Sequence, residues 1–199
     1  KSITHATVEF VDIAGLVRGA SKGEGFGNQF LSHIRDVDAI IHIVRSFEED
    51  NIAHIEGSLN PVRDIEIIET ELLIRDIASV EKRIKKLKNT SRVGYKESKE
   101  ELKILEIIYT KMNDGKLVND IKLDSIQHKL IQPLTLLTNK PTLYVANVNE
   151  DEKNNEKSNL ELKFFFNIIK ERGNAAIQLC GKLEAEISNL QDEEKSFFL

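Results

Sequence analysis

The chain has 199 residues, 40% of them hydrophobic and 31% charged, with a formal net charge of −5, which suits one core or a core carrying an insertion and argues against wholesale electrostatic binding of nucleic acid. Its longest apolar runs fall well short of the roughly 18 residues of a membrane span, and Lys1–His5 carries no apolar signal stretch, so no membrane association is expected. The single cysteine, Cys180, excludes an internal disulfide and a cysteine-rich zinc site, and a reducing cytoplasm is the expected setting.

Along the chain, Thr7–Val11 alternates and ends in Asp12, reading as a strand. A glycine-rich stretch leads into a helix over Gly27–Arg35. Ala39–Val44 is a nearly continuous apolar run, as suits a strand buried on both faces. From Pro61 to Asn113 strand signals vanish. Leu73, Ile77, Val80, Ile84 and Leu87 follow a heptad stripe, and Leu102, Leu105, Tyr109 and Met112 form a second one. The polar break at Asn89–Gly94 turns one helix back on the other, predicting an antiparallel helical hairpin. Asp124-Ser-Ile-Gln127 has the form of a capping box opening a further helix, which ends before Lys140-Pro141. Thr142–Ala146 and Ala175–Leu179 read as strands, Asn159–Glu171 and the stretch from Leu183 onward as helices. Strand–helix alternation predicts an α/β fold with a parallel sheet. The expected division is a core built from residues 1–57 and 139–199, with an inserted arm over 58–138.

Three segments carry candidate chemistry. In Val8–Gly15, Asp12 and Gly15 form a DxxG element, in which the Asp reaches magnesium through water and the Gly offers its N–H to a γ-phosphate. Asp and Gly also end many strands as plain turn residues, so the element alone leaves both readings open. Gly19, Gly23, Gly25 and Gly27 place four glycines in nine residues, a loop that could order against a γ-phosphate or simply be a surface loop. Its spacing does not fit the dinucleotide fingerprint G-x-G-x-x-G, which disfavours a dinucleotide-dependent oxidoreductase. In the third segment, Asn147-Val-Asn-Glu150 stands where guanine-specific switch proteins carry Asn-Lys-x-Asp. Val148 replaces the Lys and Glu150 the Asp, which weakens guanine recognition and makes adenine plausible; an Asn after a strand is also a common turn residue.

Taken together these segments resemble the YchF branch of the Obg-like P-loop NTPases. The resemblance rests on Asp12–Asn28, on His54–Glu66 followed by the helical arm, on Asn147–Glu150 and on Leu183–Glu186, in order over nearly the whole chain. It implies a Ras-like P-loop NTPase core with an inserted coiled-coil arm, favouring ATP over GTP, using Mg2+ and associating with ribosomes. By resemblance Asn147 and Val148 contact adenine, Phe47 lies near the base, and Cys180 and Gly181 fall in the loop closing over it. The residue after DxxG is Leu16, which can neither donate nor accept a hydrogen bond, so another group must position the attacking water. His54 is the candidate, since a neutral imidazole can orient or deprotonate water; the alternative is a packed structural histidine.

The G-x-x-x-x-G-K-[ST] motif does not occur in these 199 residues. The chain therefore resembles a middle piece of a longer protein, with the family's TGS domain expected beyond Leu199, and weak ATP affinity with no turnover is expected of the piece alone. Between Glu81 and Lys103 there are nine Lys or Arg against four Glu. Lys82, Arg83, Lys85, Lys86, Lys88 and Arg92 make the hairpin tip a candidate contact for ribosomal RNA. Such a charge run is equally what keeps a solvated hairpin soluble, and a non-catalytic ribosome- or protein-binding helical module remains the competing function.

Overall fold

The structure, a computed structural model, describes residues 6–13, 33–49, 54, 57–90, 96–150 and 156–195. Three strands, β1 (Ile40–Arg45), β2 (Thr142–Asn147) and β3 (Ala175–Leu179), form one sheet in the order β1-β2-β3. Both pairings are parallel, with Ile40 opposite Thr142 and Leu143 opposite Ala175. Parallel neighbours need long crossovers. The first crossover contains α1 (Pro61–Thr90), α2 (Lys96–Asn113) and α3 (Ser125–Ile131); the second is α4 (Glu156–Glu171). After β3 come α5 (Gly181–Ser188) and the short α6 (Asp192–Lys195).

One face of the sheet presents Val44, Tyr144 and Ala146 to Ile65 of α1 and to Leu162, Phe165 and Ile169 of α4. On the other face Ile41, Ile43 and Ile177 remain well exposed. The hairpin builds a second core. Leu73, Val80, Ile84 and Leu87 of α1 meet Leu105, Ile108 and Met112 of α2, closed below by Val118, Ile121 and Ile131. At 30 residues α1 is about 45 Å long, so it reaches both cores. A small third cluster, Ile34, Leu72 and Leu137, sits where the chain enters β1 and β2.

Two buried acids, two helical turns apart on α1, fasten it to the sheet. Asp76 accepts from the Leu137 and Thr138 N–H groups and from the Thr138 hydroxyl, each at 2.8 Å. Burial pushes its carboxyl above the usual range despite those three donors. Glu69 accepts from the Tyr144 hydroxyl at 2.6 Å and from Arg172 Nη1 at 2.7 Å. The predicted capping box is present: Asp124 Oδ1 accepts from the Ile126 and Gln127 N–H groups, and Gln127 returns its Oε1 to Asp124 N–H.

The expected strand over Thr7–Val11 is not formed. Residues 6–13 pair with no strand among the described residues, and Val8 and Phe10 are 71% and 77% exposed. Alternation supplies a face but no ladder, and a strand without a hydrogen-bonding neighbour is not stable alone. Ile13 packs instead against the small cluster at the amino-terminal ends of β1 and β2. No described helix is long and apolar enough to cross a membrane.

Candidate functional site

The carboxyl ends of the strands, where open α/β sheets hold ligands, bring together the second half of the sequence candidates. Asn147 closes β2. Its Oδ1 accepts from the Gly181 N–H at 2.9 Å, and its C=O accepts from the Ser46 N–H at 2.8 Å. The Asn147 amide thus ties β2 to the first residue of α5 while its backbone ties β2 to the end of β1. A Cβ on Gly181 would lie 3.2 Å from Asn147 Oδ1, so glycine is what allows this approach. Cys180, partly buried, precedes α5 at its N-cap position without a side-chain cap bond. Beside them Arg45 donates through Nε to the Phe47 C=O at 2.9 Å and lies 5.0 Å over the Phe47 ring, a cation–π contact that fixes the aromatic plane at this edge. Glu150 is exposed just beyond, its N–H donated to Asn149 Oδ1.

Val148, the residue after Asn147, is buried. Its side chain is only 6% exposed and packs in the core cluster with Leu162 and Phe165, while its N–H is donated to the Leu179 C=O at 2.9 Å. The Val148 side chain completes the core directly beside Asn147.

His54 follows the end of β1 and donates through Nε2 to, or shares a proton with, Asp64 Oδ2 at 2.9 Å in the first turn of α1. That is neither plain apolar packing nor an isolated base. Nearby, His42 stacks on Tyr144 with ring centroids 5.7 Å apart, and burial lowers its pKa to about 4 against an opposing pull from Asp64. Asp12, exposed, stands next to Ile13 and hence at the amino-terminal end of the sheet. Six-residue strands separate the two ends by roughly 20 Å, so Asp12 and Asn147 do not form one site here. Gly15, Leu16, Gly19, Gly23, Gly25 and Gly27 lie outside the described residues, as does Arg92.

Residues 1–89 match the family described as 50S ribosome-binding GTPase. A Haemophilus ducreyi protein named ribosome-binding ATPase YchF is 46% identical over 197 residues, 99% of this chain and 53% of that relative. The Bacillus subtilis protein of the same name is 43% identical over 199 residues, 100% of this chain and 54% of the relative. The solved structure of the Schizosaccharomyces pombe YchF GTPase matches with a TM-score of 0.76 at 35% identity, over 92% of this chain and 50% of that one. Over nearly its whole length the chain is similar to YchF proteins. It spans about half the length of the curated relatives it matches.

In the arm, ion pairs alter what the composition alone suggests. Arg83 is held bidentately by Glu101 at 2.6 and 2.8 Å, Lys85 pairs with Glu81 at 2.8 Å, and Lys88 with Glu106 at 2.7 Å. The surplus of basic residues is thus partly neutralised within the hairpin, on which Lys82 and Lys86 are exposed. Motifs alone miss Ser46, Asp64, Glu69 and Asp76. A polar residue on an amphipathic helix reads as solvent-facing, and only distant partners reveal otherwise. The one available signal is that Glu69 and Asp76 are spaced seven apart, in line with the apolar stripe.

Proposed function

We propose that this chain carries the base-binding edge and the helical arm of an ATP-hydrolysing switch protein of the YchF type, associated with ribosomes. The observation that carries the reading is the Asn147–Gly181 bond at the carboxyl edge of the sheet. With Oδ1 committed to Gly181, the Nδ2 donor is the group left for an acceptor on a purine ring. Glu150, longer than the Asp of guanine-specific proteins, and the buried Val148 support adenine over guanine. Magnesium would arrive with ATP. Asp12 is its family-assigned contact, but among the described residues no group of three His, Cys, Asp or Glu could hold a metal and Asp12 stands at the opposite end of the sheet, so no step is routed through the ion. Without a G-x-x-x-x-G-K-[ST] cradle in these residues, affinity should be weak and turnover essentially nil.

Saturation-transfer NMR with ATP and GTP in the presence of magnesium tests this. The expected result is weak contact with ATP, weaker with GTP, and loss of both in Asn147→Ala. Tighter GTP binding, or binding indifferent to Asn147→Ala, would overturn the base-site reading. A second reading, a binding module in which hydrolysis is incidental, is favoured by the hairpin's own closed hydrophobic cluster. Sedimentation with ribosomes at low salt separates the two: Lys82→Glu/Lys86→Glu should weaken association and leave ATP contact intact.

A further inference from the structure

His54 is held more closely than a loop residue needs to be. Its C=O accepts from the Gly57 N–H at 3.0 Å, closing a turn with Gly57 at φ +76°, a conformation glycine adopts at no steric cost. Asn60 then opens α1: its Oδ1 accepts from the Arg63 N–H and its C=O from the Asp64 N–H, both at 3.0 Å, with Pro61 at the first helical position. This cap places Arg63 and Asp64 in the first turn. Asp64 divides its oxygens: Oδ2 meets His54 Nε2 at 2.9 Å, and Oδ1 accepts from Arg63 Nε and Nη2 at 3.3 and 3.2 Å. Arg63 is itself anchored on Ser58, through the hydroxyl at 3.1 Å and through the C=O.

We propose that Asp64, braced by Arg63 and Ser58, is the positioning residue for His54. It accepts the Nε2 proton as a hydrogen bond, so the neutral ring carries its lone pair on Nδ1. This rests on the reading of His54 as the group that meets the attacking water. In that step the water oxygen bonds to the γ-phosphorus of ATP as its proton passes to Nδ1 and the bond to the ADP oxygen breaks. The imidazolium so formed is stabilised by the Asp64 carboxylate until its proton passes to the phosphate product. The chemistry of the position demands a carboxylate. Asp64 lies between two donors, and an amide offers one oxygen, so its NH2 would face either the guanidinium or the imidazole N–H.

The test is imidazole NMR on the chain labelled with 15N at histidine, at about pH 8, where an ordinary histidine is neutral. For His54 the expected signature is a protonated Nε2, an unprotonated Nδ1 and an Nε2–H proton slowed in exchange with water. Asp64→Ala removes the slowed proton. Asp64→Asn removes it too, because the single oxygen stays with Arg63, and adding Arg63→Met to Asp64→Asn restores it. That restoration also shows that the variants fold, and a merely structural role would not produce it. A slowed proton surviving in Asp64→Ala, or a proton on Nδ1 in the parent chain, overturns the proposal. Failure of the underlying reading looks different: in a protein that joins this chain to a G-x-x-x-x-G-K-[ST] cradle, ATP turnover that is equal with and without His54→Ala, while the NMR signature stands, removes the catalytic purpose of the arrangement.

Discussion

At the scale of single residues, Gly181 matters through what it lacks. The 3.2 Å approach that a Cβ would make to Asn147 Oδ1 is tighter than ordinary contact, yet the obstacle is a side-chain amide that can shift. Gly181→Ala should therefore leave folding almost unchanged while lengthening or breaking the Gly181–Asn147 bond, a contact worth about 1 kcal/mol. ATP contact, measured by the same saturation-transfer experiment, should weaken several-fold. Unchanged affinity in Gly181→Ala would mean that the orientation of the Asn147 amide does not matter to the ligand. His42 gives a second test, through pH. Its folded pKa, about 4, lies below the ordinary value of 6.5, so the unfolded chain binds the proton more readily. Stability is complete above about pH 6.5 and falls as pH drops towards 4, by at most roughly 3 kcal/mol from this residue. His42→Phe keeps a ring against Tyr144 and removes the titration. Urea midpoints measured across that window should show a flatter pH dependence in His42→Phe, and an identical slope would assign the acid sensitivity elsewhere.

Among the elements, legibility followed the source of the stabilising energy. β1 and β2 were readable because their runs are continuously apolar, although Ile41 and Ile43 stay exposed on the face away from α1 and α4, and the hairpin because its stripe repeats at helical spacing. The stripe of α2 was traced through Leu102 and Tyr109, which are only partly buried. Ile108, fully buried, was passed over: several apolar registers coexist on that helix, and the choice depends on how α1 crosses it. Residues 7–11 show the opposite limit. Their alternation is a strand's, but a strand is a pairing, and pairing is not written in the segment itself. The site divided the same way. Asn147 was legible from its place after an apolar strand, and His54 from its loop. Asp64 was hidden because a carboxylate in the first turn of a helix is already explained by the helix dipole.

For the whole molecule, α1 decides whether arm and sheet behave as one body. It contributes Ile65 to the sheet cluster, Leu72 to the small cluster and Leu73 through Leu87 to the arm cluster. Glu69 and Asp76 bind it to the strand that carries Asn147 and to the segment leading into that strand. The Asp76 node extends further, since Thr138 Oγ1 also accepts from the Val118 N–H at 3.2 Å at the base of the arm. Core and arm should therefore open together. Hydrogen exchange followed by mass spectrometry should give matching protection for the amides of β2 and for those of α2. Asp76→Ala leaves two backbone N–H groups and a hydroxyl without their buried acceptor, a loss of about 2–4 kcal/mol. Because the arm keeps its own hydrophobic cluster, the loss should not fall evenly. The segment around Leu137 and Thr138 and the start of β2 should exchange faster, while α2 keeps most of its protection. Equal loss in both segments would mean that apolar packing along α1 already couples them and that Asp76 adds only stability. Unequal loss would identify the buried carboxylate as the joint through which a load on the arm reaches Asn147.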